Sequence, residues 1–167
     1  PREAHRSEQT VDGHKVVLGV EKSIVGVDMP QLLLATNNPG KIAEFRQLLA
    51  GCGWEIVTPA ELGLNLEIEE SGQTYSENAT IKAVGYAQAS GLVALADDSG
   101  LEVDALGGRP GPLSARYAGA DRTDPERVQA LLQELAGVPD EERTARFRAV
   151  IVIADGQGKV EQVEGSV

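Results

Sequence analysis

The residue types present between Met29 and Val167 restrict the chemistry that this chain can perform. That stretch has no histidine, which excludes a Ser-His-Asp or Cys-His nucleophile and a histidine-rich zinc site there. The one cysteine, Cys52, lies between two glycines, where a bystander side chain is the favoured interpretation. Carboxylates, lysines and hydroxyls remain, and these groups suit a hard metal ion held by oxygen ligands.

The first candidate cluster is the run Thr36-Asn37-Asn38-Pro39-Gly40-Lys41, a turn expected between a strand and a helix. Backbone amides at a helix N-terminus can hold phosphate oxygens, and Lys41 adds a positive charge. Thr36 and Asn38 can add polar contacts. The run is not a Walker A loop, because Ile42 stands where that motif needs Ser or Thr. A plain Asn-Pro-Gly turn with a solvated lysine is the alternative.

The second cluster is acidic and lies between Arg46 and Lys82. This stretch has no basic residue and six glutamates, and the adjacent pair Glu69-Glu70 is followed by Ser71-Gly72. Two neighbouring carboxylates without a nearby cation in the sequence indicate either a solvated loop or a divalent-metal site.

The third cluster, Asp97-Asp98-Ser99-Gly100, directly follows the apolar run Leu92 to Ala96. Burial of an unpaired carboxylate is costly, and a metal ion or a lysine usually compensates for it. Lys82 is a candidate for that partner or for a phosphate contact, whereas capping of a helix or turn by Asp98 is the alternative. Together the three clusters fit hydrolysis of a phosphoanhydride by metal-oriented water, without a protein nucleophile.

The elements that must position these clusters alternate between strand and helix. The predicted strands are Leu32 to Thr36, Trp54 to Val57, Leu92 to Ala96, Ala145 to Ala154 and Lys159 to Val163. Four helices are predicted. The first carries Ile42, Phe45, Leu48 and Leu49 on one face and ends at Gly51, and a short second one runs from Thr58-Pro59 to Gly63. The third runs from the capping box Thr74/Glu77 to Gly91, and the fourth runs from Asp124-Pro125 to Gly137 with Val128, Leu131, Leu132 and Leu135 on one face. This order predicts an α/β domain with a mixed sheet.

The chain divides into residues 1–28 and a domain over 29–167. Residues 1–28 hold both histidines, and we interpret them as an appendage of unknown origin before Met29, which resembles an original start. Their β-branched runs, Val16 to Leu18 and Ser23 to Val27, could add one or two edge strands.

The overall charge excludes some partners. With 26 acidic and 15 basic residues among 167, the formal net charge is −11. A strongly acidic chain disfavours binding to nucleic acid and to an anionic membrane surface. The longest apolar runs are far below the ~20 residues of a membrane helix. No signal pattern opens the chain, and we expect a cytoplasmic protein.

Five motifs in order resemble the inosine triphosphate pyrophosphatase family. They are Thr36-Asn37-Asn38-Pro39-Gly40-Lys41, Glu69-Glu70-Ser71-Gly72, Glu77-Asn78-Ala79 with Lys82-Ala83, the run from Ala96 to Gly111, and Ser114-Ala115-Arg116-Tyr117. Each motif alone is modest, but five at matching spacing are specific. The resemblance covers Gln31 to about Val167.

The resemblance implies a two-lobed α/β fold, usually a homodimer, with a purine nucleoside triphosphate in the cleft between the lobes. It implies Mg²⁺-dependent cleavage of ITP, XTP and dITP to monophosphate and pyrophosphate. By motif position, the run from Thr36 to Lys41 and Lys82 would contact phosphate, and Ser99 would contribute to the substrate site. Glu69 and Asp98 would be metal ligands, and Asp98 would also be the catalytic base.

The family's pattern continues past the point where this sequence ends. It includes a Phe-Gly-Tyr-Asp segment, a lysine and a Ser-His-Arg motif that hold the base, whereas this sequence stops at Gly165-Ser166-Val167. We therefore expect a member truncated at its C-terminus and extended at its N-terminus. The alternative to an enzyme is a fragment that binds phosphate or metal without turnover.

Overall fold

A five-stranded mixed sheet with one helix on each face forms the body of the protein. The structure is a computed structural model, and it describes residues 7–11, 14–18 and 29–167. The strands are β1 (Ser7–Val11), β2 (His14–Leu18), β3 (Gln31–Leu34), β4 (Glu55–Val57), β5 (Val93–Val103), β6 (Ala145–Ala154) and β7 (Val160–Ser166). The helices are α1 (Pro39–Leu48), α2 (Tyr75–Ser90) and α3 (Asp124–Glu134), with short 3₁₀ turns at Asp104–Leu106, Gly111–Arg116 and Asp140–Glu142.

The sheet order is β4-β3-β5-β6-β7. β3 runs parallel to both β4 and β5, whereas β5, β6 and β7 are antiparallel neighbours. The predicted α/β class with a mixed sheet is therefore confirmed. The parallel half is the part that brings the end of β3 and the start of α1 beside β5.

Alternating side chains of β3 supply two separate cores. Leu33 and Ala35 point toward α2 and pack with Ala79, Ala83 and other buried residues there. Leu32 and Leu34 point to the other face and pack with Phe45 of α1. Successive residues of a strand face opposite sides of a sheet, so β3 is buried on both.

The prediction for β5 was wrong in its length. The sequence indicated a strand ending at Ala96 and a loop over Asp97-Asp98-Ser99-Gly100, but β5 continues to Val103. The reason is long-range pairing, because β6 lies antiparallel beside β5 from the pair Ala94 and Ala154 to the pair Val103 and Ala145. The acidic pair therefore lies within a strand.

Two helix predictions also need correction. The short helix from Thr58-Pro59 to Gly63 is a series of turns, in which the Glu61 carboxylate accepts bonds from the backbone amide (2.8 Å) and hydroxyl (3.0 Å) of Thr58. In α3 the predicted face is only partly buried: Leu135 is 5% exposed and Leu131 is half-buried, whereas Val128 and Leu132 are 55% and 49% exposed.

The expected face of α1 is only partly buried. Phe45 is buried and Leu49 packs against the same core, as predicted, but Leu48 is 70% exposed. Leu48 and Leu49 are adjacent on a helix, so about 100° separates their directions and the sheet covers only one of them.

The appendage contributes β1 and β2 in the described part of the chain. These strands pair antiparallel with each other in a two-stranded sheet of their own, so β2, which includes Val16 to Leu18, does not join the five-stranded sheet. The run from Ser23 to Val27 lies outside the described residues. Among the helices that the structure describes, none has the length and apolar character needed to cross a bilayer.

Candidate functional site

A cleft of about 590 Å³ lies where the end of β3, the start of α1, one face of α2 and residues 64–72 meet. We call residues 64–72 the acidic segment. The residues that line the cleft are Ala35, Thr36, Asn37, Asn38, Lys41, Leu66, Glu67, Ile68, Glu69, Glu70, Lys82 and Tyr86. The cleft lies at the carboxyl end of parallel β3, the edge at which open α/β sheets bind ligands.

The turn after β3 is organised by Asn38. Its side-chain oxygen accepts hydrogen bonds from the backbone amides of Gly40 (2.9 Å) and Lys41 (3.4 Å), which caps α1. The Asn38 amide in turn donates to the hydroxyl of Thr36 (3.2 Å). Pro39 occupies the first helical position, where its missing N–H costs nothing. The Asn38 side chain thus occupies two backbone amides that could otherwise hold phosphate, and the side chains of Thr36, Asn37 and Lys41 line the cleft beside it.

The adjacent aspartates of β5 have different surroundings because they point to opposite faces of the sheet. The Asp97 carboxylate forms an ion pair with Lys41 at 2.7 Å. The Asp98 carboxylate accepts bonds from the Asn78 side-chain amide (3.2 Å) and from the Ser99 backbone amide (3.1 Å). Both aspartates are buried, but within the described residues only Asp97 has a cation in direct contact.

Burial raises the pKa of the Asp98 carboxyl above its usual value. The nearby charge of Lys82 and the hydrogen bond from Asn78 oppose this effect, whereas the charge of Glu70 adds to it. A carboxylate with a raised pKa is a better proton acceptor, and a group whose pKa is perturbed by burial near a cleft is a candidate for function.

One face of α2 joins the acidic segment to β5. Asn78, Lys82 and Tyr86 follow one another at intervals of four, so they project from the same side of the helix. The Lys82 ammonium donates to the backbone carbonyl of Asp97 (2.6 Å) and lies 3.2 Å from a carboxylate oxygen of Glu70. Lys82 is therefore held between the strand and the acidic segment.

The predicted site residues do not all reach the cleft. Thr36, Asn37, Asn38, Lys41, Glu69 and Lys82 line it, whereas Pro39 and Gly40 form the first turn of α1. Asp98 and Ser99 are not among the lining residues, although Asp98 contacts Asn78 on the same α2 face as Lys82.

The carboxylates offer oxygen ligands to a metal ion. Within the described part of the chain, no three Asp, Glu, His or Cys side chains converge on one point. Asp98 nevertheless fits a divalent cation in its chemistry, because a buried carboxylate without an ion-pair partner gains from a nearby positive charge. Glu69 and Glu70 supply further hard oxygen atoms at the cleft.

Sequence reasoning gave no role to several residues that shape the site. Asn78 is 1% exposed and contacts Asp98, although twenty positions separate the two. The available signal was its place four residues before Lys82. Tyr86, Leu66 and Ile68 of the cleft wall carried no sequence signal beyond their apolar character.

The sheet and the cleft define an α/β protein whose ligand site combines lysines with carboxylates. The chain belongs to the Ham1 family, whose sequence model matches residues 32–167. This finding confirms the resemblance drawn from the five motifs, and it covers the sheet, both core helices and the cleft.

Individual relatives agree with this assignment. The chain is 50% identical over 136 residues to a dITP/XTP pyrophosphatase of Desulforamulus reducens, covering 81% of this chain and 68% of the relative. It is 45% identical over 139 residues to the dITP/XTP pyrophosphatase of Bacillus subtilis, covering 83% and 70%. A solved HAM1 protein from Coxiella burnetii superposes with a TM-score of 0.76 at 39% identity, covering 83% of this chain and 71% of that one.

Proposed function

We propose that this protein hydrolyses noncanonical purine nucleoside triphosphates, namely ITP, XTP and dITP, to the monophosphate and pyrophosphate. The observation that supports this proposal most directly is the buried Asp98 carboxylate, which contacts Asn78 on the same face of α2 that carries Lys82 to the cleft. Relatives named dITP/XTP pyrophosphatase support the choice of substrate.

The triphosphate would bind through the wall that carries the cations. Lys41 and Lys82 bring two positive charges to a cleft that also holds Glu67, Glu69 and Glu70. Thr36 and Asn37 are neutral hydrogen-bonding side chains next to Lys41, and Ser99 adjoins Asp98 on β5. Both lysines already have carboxylate partners, so phosphate would have to compete with Asp97 and Glu70 for them.

Mg²⁺ is part of this proposal, with Glu69 and Asp98 as its protein ligands. When bound, the ion would neutralise phosphate charge and lower the pKa of a coordinated water. Glu69 lies in the exposed wall of the cleft and Asp98 lies in a buried part of β5. A metal ion held by both would therefore link the acidic segment to β5.

Asp98 would act as the base. Its raised pKa favours acceptance of a proton from the attacking water, while Asn78 and the Ser99 amide hold its two oxygen atoms in place. The bond between phosphorus and the oxygen that bridges the α and β phosphates breaks. The water oxygen ends on one product, and the proton passes through Asp98 to solvent, so nucleoside triphosphate and water become monophosphate, pyrophosphate and a proton.

The proposal extends to assembly and location. We propose that the protein is a homodimer and that it lies in the cytoplasm. Sedimentation or light scattering of the purified protein would test the dimer by its solution mass. A monomeric mass at micromolar concentration would contradict the dimer without affecting the proposed reaction.

The reaction is tested by incubating the protein with ITP, XTP, dITP and ATP and measuring pyrophosphate and orthophosphate separately. We expect pyrophosphate from the first three, a requirement for Mg²⁺, and a loss of about a hundredfold or more in Asp98→Asn, since general-base catalysis contributes on this scale. Asp121→Asn is the matched control, because it makes the same chemical change at an exposed position.

Two outcomes would contradict the proposal. Release of orthophosphate in place of pyrophosphate would mean a different reaction. An unchanged rate in Asp98→Asn would show that Asp98 does not act in the reaction. Binding of ITP without any turnover would favour the alternative, a module that binds phosphate or metal only.

A further inference from the structure

The acidic segment alternates between two environments. Leu64, Leu66 and Ile68 are partly buried and pack against the core on the α2 side of the sheet. Between them, Glu67 and Glu69 are exposed and line the cleft, which Leu66 and Ile68 also line. The alternation is therefore one of burial: the three apolar side chains are held against the core, and the glutamates between them are exposed to solvent.

Ile68 fits against α2 at a position that has no side chain. A Cβ atom built on Gly85 would lie 2.6 Å from Cδ1 of Ile68, closer than real Cβ atoms approach other atoms. The next atom of Ile68, Cγ1, would lie at an ordinary 3.6 Å. Gly85 lies inside a helix, where alanine is a better helix former than glycine. The glycine thus leaves a notch in α2 that the end of the Ile68 side chain occupies.

Polar contacts hold the segment on either side of this notch. The Tyr86 hydroxyl donates to the backbone carbonyl of Leu66 at 3.4 Å. Beyond Ile68, Lys82 forms an ion pair with Glu70 at 3.2 Å. Ile68 is the apolar contact between these two, and it immediately precedes Glu69.

We propose that Ile68 and Gly85 are positioning residues that anchor the acidic segment on α2 and thereby hold Glu69 in place at the cleft wall. The inference rests on the proposed function, in which Glu69 is a metal ligand. Loss of the contact between Ile68 and Gly85 would let the segment move relative to α2 and carry Glu69 with it. Docking of Ile68 in the notch opposes that movement, because it removes apolar surface from water.

The test compares Gly85→Ala, Ile68→Val and the double variant. Alanine at 85 meets Cδ1 of Ile68, and valine at 68 lacks that one atom, so the double variant restores the space that the single variant removes. Gly165→Ala is the matched control, since it adds the same methyl group in β7 where no atom lies within 4 Å.

Four measurements separate positioning from general stability. Cleavage of the metal-free protein by a glutamyl endopeptidase reports exposure of the bonds after Glu67, Glu69 and Glu70. Calorimetric titration with Mg²⁺ alone measures metal affinity, and pyrophosphate release from ITP separates kcat from KM. Thermal unfolding shows whether each variant is folded.

In Gly85→Ala we expect cleavage several-fold faster, and Mg²⁺ affinity about tenfold weaker, which is the scale for loss of a group that orients a metal ligand. In the double variant both values should return to within about twofold of Ile68→Val. If Gly85→Ala lowers the melting temperature, the double variant still decides, since only the proposed contact explains its recovery.

The inference is overturned if Gly85→Ala matches the parent in cleavage and Mg²⁺ affinity, or if the double variant is no better than Gly85→Ala. Parent protein that binds no Mg²⁺ would overturn it as well. Failure of the proposed function looks different: parent and double variant would bind Mg²⁺ and resist cleavage, yet release no pyrophosphate.

Discussion

Substitution of Gly100 by alanine tests how tightly β5 is held against the Gly111–Arg116 turn. A Cβ atom at position 100 would lie 2.3 Å from the carbonyl oxygen of Gly111 and 2.6 Å from the hydroxyl oxygen of Ser114. Neither atom can move freely. The Ser114 hydroxyl donates to that same carbonyl (2.6 Å) and accepts from the Leu101 amide (2.9 Å).

The expected cost follows from these contacts. Because real Cβ atoms essentially never come within 3.0 Å of another atom, the turn must move away by at least ~0.7 Å at the carbonyl. Overpacking of this kind costs about 1–3 kcal/mol, and loss of the Leu101 to Ser114 hydrogen bond adds about 1 kcal/mol. Relief of the glycine penalty in a strand returns roughly 0.5–1 kcal/mol. We expect a net loss of about 2 kcal/mol, or roughly 4–8 °C in Tm for a domain of this size.

Differential scanning calorimetry of Gly100→Ala and Gly165→Ala provides the measurement. Gly165 also lies in a strand, has no atom within 4 Å of a built Cβ and does not need a positive φ, so its substitution should leave Tm unchanged or raise it slightly. Equal Tm values for Gly100→Ala and the parent would refute the reasoning, because they would mean that the turn does not press on β5.

Two further predictions concern charge. In metal-free buffer at pH 7, Asp98→Asn should raise Tm, because burial raises the pKa of Asp98 and makes its ionised form less favourable in the folded state. A lower Tm would show that the carboxylate is structural. Glu77 caps α2, and the hydrogen bond from the Gln73 amide is the main reason that its pKa is lowered in the folded state. Ionised Glu77 therefore stabilises the fold above its unfolded pKa, near 4.5, and this contribution is lost as the pH falls through the lower folded pKa. Thermal scans from pH 7 to 3 should therefore show a smaller loss of Tm for Glu77→Gln than for the parent, and parallel curves would contradict this.

The sequence predicted best those elements whose signals are local. The capping box of Thr74 and Glu77 and the left-handed Gly91 set the limits of α2, and both are observed. β6 and β7 flank a turn rich in glycine and aspartate, as expected. In each case the deciding residues lie within a few positions of the boundary that they determine.

The length of β5 was not predictable in this way. Asp97, Asp98 and Gly100 have low strand propensity. They adopt a strand conformation because they pair with β6, some fifty positions later in the sequence. The partial exposure of the apolar face of α3 has a similar cause, since amphipathic spacing shows which side of a helix is apolar but not how much of it another element covers.

The candidate site was partly accessible from motifs and partly not. The run from Thr36 to Lys41, Lys82 and Glu69 stood out by residue type, and all of these residues except Pro39 and Gly40 line the cleft. The contact of Asn78 with Asp98 and the notch at Gly85 could not be foreseen, because both depend on how α2 lies across β5 and the acidic segment.

The extension of β5 through the two aspartates also explains how adjacent, identical side chains can serve different purposes. In a flexible loop, Asp97 and Asp98 would share one environment. In a strand they face opposite sides, so Lys41 reaches Asp97 while Asp98 meets Asn78 of α2. The sheet thereby neutralises one carboxylate and leaves the other buried without a direct cation. An ordered strand also keeps Asp98 in a narrow range of positions, which a catalytic base or a metal ligand requires.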